Sequence, residues 1–597
     1  MTRRVLRLPS RVLIVLASLA VLMTMSVPVA AGPGRHVKLD LALQAWKARS
    51  GGPDQPQRVI VHLKAGARAG FIQRMKTRGG RLRNEHPFLE DVTVEVPRRA
   101  LQSLEDDDDI EAISIDAPVT THASVAPTGT VLRGTLGLVS GGPIGTGVGV
   151  AVIDSGISNS NAFSGRITAF YDVTGGSPVL TSPKDPYGHG THVAGLIAGS
   201  GYPSGNLYPG VAPGANLIGL RVLDSQGQGY TSTVIAAIEF ATANKQSLGI
   251  DVINLSLGHP VFESASTDPL AQAVEAAVRA GIVVVTSAGN YGISPTTGQV
   301  GYAGVTSPGI APSAITVGAV DTAGSLPHWD DTVAPYSSRG PTWYDGRAKP
   351  DVVAPGHQLT AVAKSTSTIY LNYPSTRVSV PTDGNNKYLR LCGTSMAAAV
   401  TSGVVAVMID AHRQAVTWTS KPMTPNTVKA ILQYSAIELT DPSTGSDYDE
   451  LTQGSGEINA DGAIDLAQLV DPSRPLGTTW INSQPSPYSV FGGQYEVWSQ
   501  HLVWGNHLVW GNSLFYHERG WDASSSWGVQ VNHLVWGNLD PSDLVWNEHL
   551  VWGNHIVWGN ALVTAVDAEH IVWGNLDPNA SVLGNADLNL ANNLLGW

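Results

Sequence analysis

From Gly147 onward the chain carries short, unbroken apolar runs: Val148 to Ile153, Ala215 to Leu223, Asp251 to Leu255, Ile282 to Thr286 and Ala314 to Val320. A run that is apolar at consecutive positions buries side chains on both faces, so it reads as an interior strand of a sheet. Helical patterns lie between these runs. One opens at Asp268-Pro269 and closes at Gly281, with Asp placed to cap the first free amides and Pro tolerated in the first turn. Strands alternating with helices predict an α/β protein with a mostly parallel sheet between two helical layers. In such sheets functional groups gather beyond the carboxyl ends of the strands. Asp154 directly follows the first run, and Asn290 lies just past the fourth.

The texture differs on both sides. Arg58 to Leu63 reads as a strand, Gly70 to Arg78 as a helix, Asp91 to Val96 as an alternating strand, Arg99 to Leu104 as a helix and Ala112 to Ile115 as a strand, together a small α+β unit. The acidic stretch Glu105 to Asp109 reads as a solvated loop. Near Pro472 a separate C-terminal region is expected to begin. Six times it repeats His, Leu or Ile, Val, Trp, Gly, Asn, with Trp at 504, 510, 536, 552, 558 and 573, and a degenerate copy surrounds Trp546. An even spacing puts Trp and Leu on one face of a strand and His and Val on the other, with Gly-Asn turning the chain. A structural repeat is the bland reading of this β pattern. Sugar or cell-envelope attachment through the Trp face and metal binding by His501, His507, His533, His549, His555 and His570 are the functional ones.

At 597 residues the chain exceeds one ordinary core, so several modules are expected. A formal charge of -12 argues against a nucleic-acid partner. Arg3, Arg4, Arg7 and Arg11 precede an apolar run from Val12 to Met25 and the small residues Val29, Ala30 and Ala31, the layout of a cleaved secretory signal; the run is short for a membrane anchor. Cys392 is the sole cysteine, so no intramolecular disulfide contributes. Export to the cell exterior, as bacteria perform without disulfides, fits both observations.

Three segments carry candidate chemistry: Val152-Ile153-Asp154-Ser155-Gly156, Gly188-His189-Gly190-Thr191-His192-Val193-Ala194-Gly195 and Gly393-Thr394-Ser395-Met396-Ala397. A serine hydroxyl becomes a nucleophile when a base takes its proton during attack, and imidazole titrates near neutrality. A carboxylate holds the imidazole tautomer and stabilises the imidazolium. Ser395 opens a small-residue helix to Met408, so its amide shares the positive end of the helix dipole. Each segment has an ordinary structural reading, but three in one order point to Asp154, His189 and Ser395 acting together. His192 reads as a structural histidine and Cys392 as a small buried hydrophobe. No Gly-x-Ser-x-Gly elbow carries the serine, which argues against a lipase or esterase.

Each segment resembles a signature of the subtilisin-like serine peptidases, and the chain order Asp, His, Ser is theirs. The resemblance implies a three-layer α/β/α subtilisin-like fold and a serine endopeptidase acting on polypeptides. It makes the Asn290 amide the second oxyanion donor, in Ala288-Gly289-Asn290, and Ser256-Leu257-Gly258 the strand that pairs with extended substrate, with Ala288 and Gly289 beside the pocket. It also implies that residues 55 to 122 form an inhibitory propeptide, cut between Pro118 and Leu132. The expected layout is thus signal 1–31, propeptide 32–122, peptidase 123–470 and repeat region 471–597. The chemistry needs no cofactor. Structural calcium occurs in the family, but no ligand set stands out here. The usual Pro four residues after the nucleophile is Ala399 in this chain. The contrasting reading, from another class, is a catalytically silent peptide-binding protein attached through its repeats.

Overall fold

The structure is a computed structural model that describes residues 38–48, 56–77, 81–121, 132–138, 141–293, 299–380, 387–415, 421–472, 483 and 485–500. It also describes the backbone of short strands at Val551–Gly553, Val557–Trp558, Leu562–Val563 and His570–Trp573. These four strands form one small sheet. The expected signal segment and the faces of the Trp and His rows lie outside the described residues.

The first unit is built from β1 (Gln57–Leu63), β2 (Arg81–His86), β3 (Asp91–Val96) and β4 (Ile110–Ile115), with helices Arg68–Thr77 and Leu101–Glu105. The sheet order is β2-β3-β1-β4, with antiparallel neighbours. Strand β2 escaped the sequence reading because Arg-Leu-Arg-Asn-Glu-His is polar at most positions and lies at a sheet edge, where neither face must be wholly apolar. The unit also starts earlier than residue 55: Leu39 pairs with Ile113, and Leu43 of the helix Leu41–Ala48 is wholly buried in its core. Part of the acidic loop is held rather than merely solvated, since Arg74 Nη2 lies 2.7 Å from Asp109 and 3.2 Å from Asp107.

After β5 (Pro118–Thr121) the chain enters the large sheet of β6 (Gly149–Asp154), β7 (Ile167–Asp172), β8 (Val179–Leu180), β9 (Asn216–Arg221), β11 (Ile250–Leu255), β13 (Val283–Ser287), β14 (Ile315–Asp321), β15 (Thr332–Val333) and β16 (Val352–Pro355). Its order is β15-β14-β13-β11-β6-β9-β7-β8, with β16 also on β14. Only the edge pairs β7·β8 and β14·β15 are antiparallel. Strands β10 (Gln228–Tyr230) and β12 (Leu257–Gly258) belong to a separate small sheet.

The unbroken apolar runs are explained by two cores that share each strand. Along β6, Val150 and Val152 join the core under the helices His189–Ala198 and Thr394–Ala415, while Ala151 and Ile153 join the core under Thr231–Ala243 and Pro269–Arg279. With each buried valine or isoleucine contributing about 1.5–3 kcal/mol, a polar residue at either parity would be costly. Asp268 caps its helix as expected, accepting from the Ala271 amide at 2.8 Å. The helix Thr394–Ala415 is long and apolar enough to cross a membrane, yet its apolar stretch is buried as the central helix of a core, with only its last turn reaching solvent.

One boundary differs from the sequence reading. Residues 485–500, assigned there to the separate C-terminal region, pack on the peptidase body. A hairpin of Tyr488–Phe491 and Gln494–Val497 leads to Trp498, and both Phe491 and Trp498 are buried in the same core as the helix Ala460–Leu469. The Trp-rich composition of the tail hid these two anchoring aromatics.

Candidate active site

Asp154 is the last residue of β6, and His189 opens the helix His189–Ala198. His189 Nδ1 lies 2.8 Å from Asp154 Oδ1 and 2.9 Å from Oδ2, with both side chains fully buried. Their approach requires Gly190: a Cβ there would stand 2.2 Å from the Gly156 carbonyl and 3.0 Å from Asp154 Cβ. His189 Nε2 is buried and takes no hydrogen bond. A nitrogen so placed can receive a proton from a hydroxyl brought alongside.

Ser395 is the second residue of the helix Thr394–Ala415, and its hydroxyl donates to the Ser256 carbonyl at 2.9 Å. The Ser256 hydroxyl returns the contact, donating to the Ser395 carbonyl at 2.9 Å. Behind this clasp, Ser402 Oγ donates to Asn254 Oδ1 and Asn254 Nδ2 donates to Ser256 Oγ, a buried relay that fixes the strand against the helix. Asn290 is oriented by its carbonyl oxygen, which accepts from the Thr394 amide at 3.0 Å and the Thr394 hydroxyl at 3.1 Å. That fixes which end of the side chain is the NH2 donor. Gly289, at φ +107°, passes under Ser338 and Thr306, where a Cβ would meet atoms at 2.9 Å; its amide donates to Thr394 Oγ1. Ala288 is buried beside it, its carbonyl taking the Thr306 amide.

Of Ser256, Leu257 and Gly258, the last two form β12, and another segment of this chain pairs with it. Strand β5 pairs antiparallel with both β10 and β12, Thr120 opposite Gln228 and Gly258, and Thr121 opposite Leu257. Upstream, the α+β unit holds the helix Thr231–Ala243. Asp116 accepts from the Ser232 amide and hydroxyl at 2.8 Å each while paired with Arg58 at 2.7 Å, so a carboxylate from one unit caps a helix of the other.

Sequence reasoning passed over Asp185. It is buried and accepts four hydrogen bonds: from Ser155 Oγ (2.9 Å), the Gly188 amide (2.7 Å), the Thr191 amide (2.8 Å) and Thr191 Oγ1 (2.6 Å). Burial raises its pKa, and these donors oppose that shift. It ties the residue after Asp154 to both sides of His189. The signal was present as an Asp four residues before His189, but an Asp-Pro pair there reads as a turn.

His192 is buried with Nε2 at 3.1 Å from the carbonyls of Leu359 and Leu389; burial and the neighbouring His189 push its pKa down to about 3, so it is a neutral structural donor. Cys392 is buried, its sulfur accepting from the Gln358 amide, and burial raises its pKa, which keeps it a thiol.

A second His–carboxylate group stands apart from these residues. His328 Nδ1 lies 2.9 Å from Asp331 Oδ2 and 3.3 Å from Glu457 Oε2, all three side chains buried. Burial disfavours charge on His328, but Glu457 and Asp331 outweigh it and push the pKa up to about 10; burial and then Glu457 push Asp331 up to about 8.

A parallel sheet bearing an aspartate at a strand end, an Asp–His pair at a helix start and a serine at the start of a second buried helix defines a serine peptidase of the three-layer α/β class. Residues 145–461 match the Peptidase_S8 subtilase family. Serine protease AprX of Bacillus subtilis is 36% identical over 325 residues, spanning 54% of this chain and 66% of AprX. Subtilisin E of the same organism is 33% identical over 347 residues, spanning 58% of this chain and 76% of subtilisin E. Fervidolysin from Fervidobacterium pennivorans shares the fold, with a TM-score of 0.54 at 22% identity over 72% of this chain and 63% of its own. The chain belongs to the subtilase family, and its peptidase domain is a subtilisin-like serine peptidase.

Proposed function

We propose that this chain is the precursor of a secreted endopeptidase that releases itself by cutting its own N-terminal unit, with Ser395 as nucleophile, His189 as general base and acid, and Asp154 as the carboxylate that orients His189. The observation that carries this reading is β5: four residues of the chain lie antiparallel between β10 and β12, in the place of a substrate.

Turning the Ser395 hydroxyl from the Ser256 carbonyl toward His189 Nε2 begins the reaction. Oγ bonds to the scissile carbonyl carbon as its proton passes to Nε2. The oxyanion is met by the Ser395 amide and the Asn290 side-chain amide, whose aim is fixed by Thr394. The carbon–nitrogen bond then breaks, the Nε2 proton goes to the departing amine, and water deacylates the serine by the same proton path in reverse. No step draws on a metal or cofactor.

The register supports a first cut just past β5. Thr121 faces Leu257, so the next residue is due opposite Ser256, whose carbonyl holds the Ser395 hydroxyl. The expected cleavage is between His122 and Ala123. Expression of Ser395→Ala should yield only the longer precursor, and mass spectrometry of the active protein should find a new N-terminus at Ala123. Normal processing of Ser395→Ala in a protease-free host would defeat the reading. The region beyond Gln500 is proposed to attach the secreted enzyme to cell envelope or glycan, tested by pull-down on insoluble polysaccharide.

A further inference from the structure

We propose that His328, Asp331 and Glu457 form a binding site for a divalent transition-metal ion, zinc or manganese, that fastens the C-terminal end of the peptidase domain. One ligand atom from each of the three residues lies within 4.8 Å of the others, and all three side chains are inside the protein. Among the described residues this is the group with such convergence.

The second observation is what these residues leave unsatisfied. Asp331 Oδ1 and Glu457 Oε1, the other oxygens of the same two carboxylates, are buried with no hydrogen-bond partner, as is His328 Nε2. A buried carboxylate oxygen without a donor is expensive, and native interiors rarely keep two side by side. A divalent ion taking Nδ1 and the carboxylate oxygens would engage the two open oxygens. One nitrogen and up to four oxygens suit zinc or manganese; calcium prefers oxygen alone.

The position gives the ion its task. Asp331 leads into β15 at the sheet edge, and Glu457 bridges Ile437 and Val353 just before the helix Ala460–Leu469. Phe491 of the hairpin sets its ring edge-on to His328, centroids 4.5 Å apart. An ion here joins two pieces of chain distant in sequence, the segment His328–Asp331 and Glu457, beside the hairpin that carries Phe491.

The test uses the full-length Ser395→Ala chain, which cannot digest itself, stripped with a chelator and then equilibrated separately with Zn2+, Mn2+ and Ca2+. Metal content is compared with that of the same chain carrying Glu457→Gln or Asp331→Asn. All versions share the tail histidines, so the difference reports on the cluster. The expected result is about one equivalent of zinc or manganese more in the parent than in either variant, and a Tm rise of roughly 5 °C or more on loading the parent alone. Equal metal content, a parent Tm indifferent to zinc and manganese, or a response to calcium only would overturn the proposal. Should both variants fail to fold, the stripped and loaded parent decides through its own Tm.

Discussion

Two buried histidines in this molecule sit beside carboxylates at almost the same distance, His189 at 2.8 Å from Asp154 and His328 at 2.9 Å from Asp331. The difference lies in their other atoms. Around His189 every carboxylate oxygen is engaged: Asp154 by the imidazole and the Ser155 amide, Asp185 by four donors. One atom of His189 is left open, Nε2, the atom that exchanges a proton in the proposed mechanism. Around His328 two carboxylates crowd one ring, and three polar atoms lack partners. A buried His–Asp distance alone therefore does not mark a catalytic pair. A site that transfers a proton is satisfied except at the point of transfer, whereas the His328 group is incomplete as it stands.

The widest separation between the two should appear in turnover. His189→Ala is expected to lower kcat by about 10⁶, the order found when the corresponding group is removed from a subtilisin. His328→Gln should leave kcat on a peptide substrate within about threefold, since it shares no partner with the triad, while lowering Tm. A comparable loss of kcat in both variants would break the contrast.

Asp185 sharpens it. Asp185→Ala would orphan the buried Gly188 and Thr191 amides at the two sides of His189. We expect kcat to fall about 10- to 100-fold with KM nearly unchanged, because the base is displaced rather than removed. Asp185→Asn keeps one acceptor oxygen and should fall between. A KM rise with kcat intact would assign Asp185 to the substrate groove instead.

The two groups also differ in how far they could be read from sequence. Asp154, His189 and Ser395 each sit where local chemistry is written in neighbours: a strand end, a glycine that admits the carboxylate, a helix start. The parallel sheet was equally legible, because strands buried on both faces are mostly apolar at consecutive positions. His328, Asp331 and Glu457 have no such local signature. Glu457 follows Gly456 in an irregular segment, far along the chain from His328, and only the packing of β15 against β14 and of the Glu457 bridge beside β16 brings them together. Strand β2 was missed for a related reason, since an edge strand's polarity is that of a loop. The hairpin that ends at Trp498 was misassigned because composition does not distinguish an anchoring aromatic from a repeated one.

The smallest expected effect concerns Ala399, where the resemblance to the subtilisin-like peptidases implies a proline. Within the helix Thr394–Ala415 the residue 399 amide is in position to donate to the carbonyl four residues back, that of Ser395. The same carbonyl already accepts the Ser256 hydroxyl at 2.9 Å. Replacing Ala399 by proline removes one donor and leaves the other, so the carbonyl stays satisfied and the nucleophile keeps its place. Ala399→Pro should therefore change kcat by less than about tenfold, and Ser256→Ala alone by a similar amount. Together they strip the carbonyl of both donors, and their combined loss should exceed the product of the single losses. Losses that merely multiply would show that the Ser256–Ser395 clasp does not set the aim of the nucleophile, and that the satisfied character of the catalytic cluster stops short of the serine.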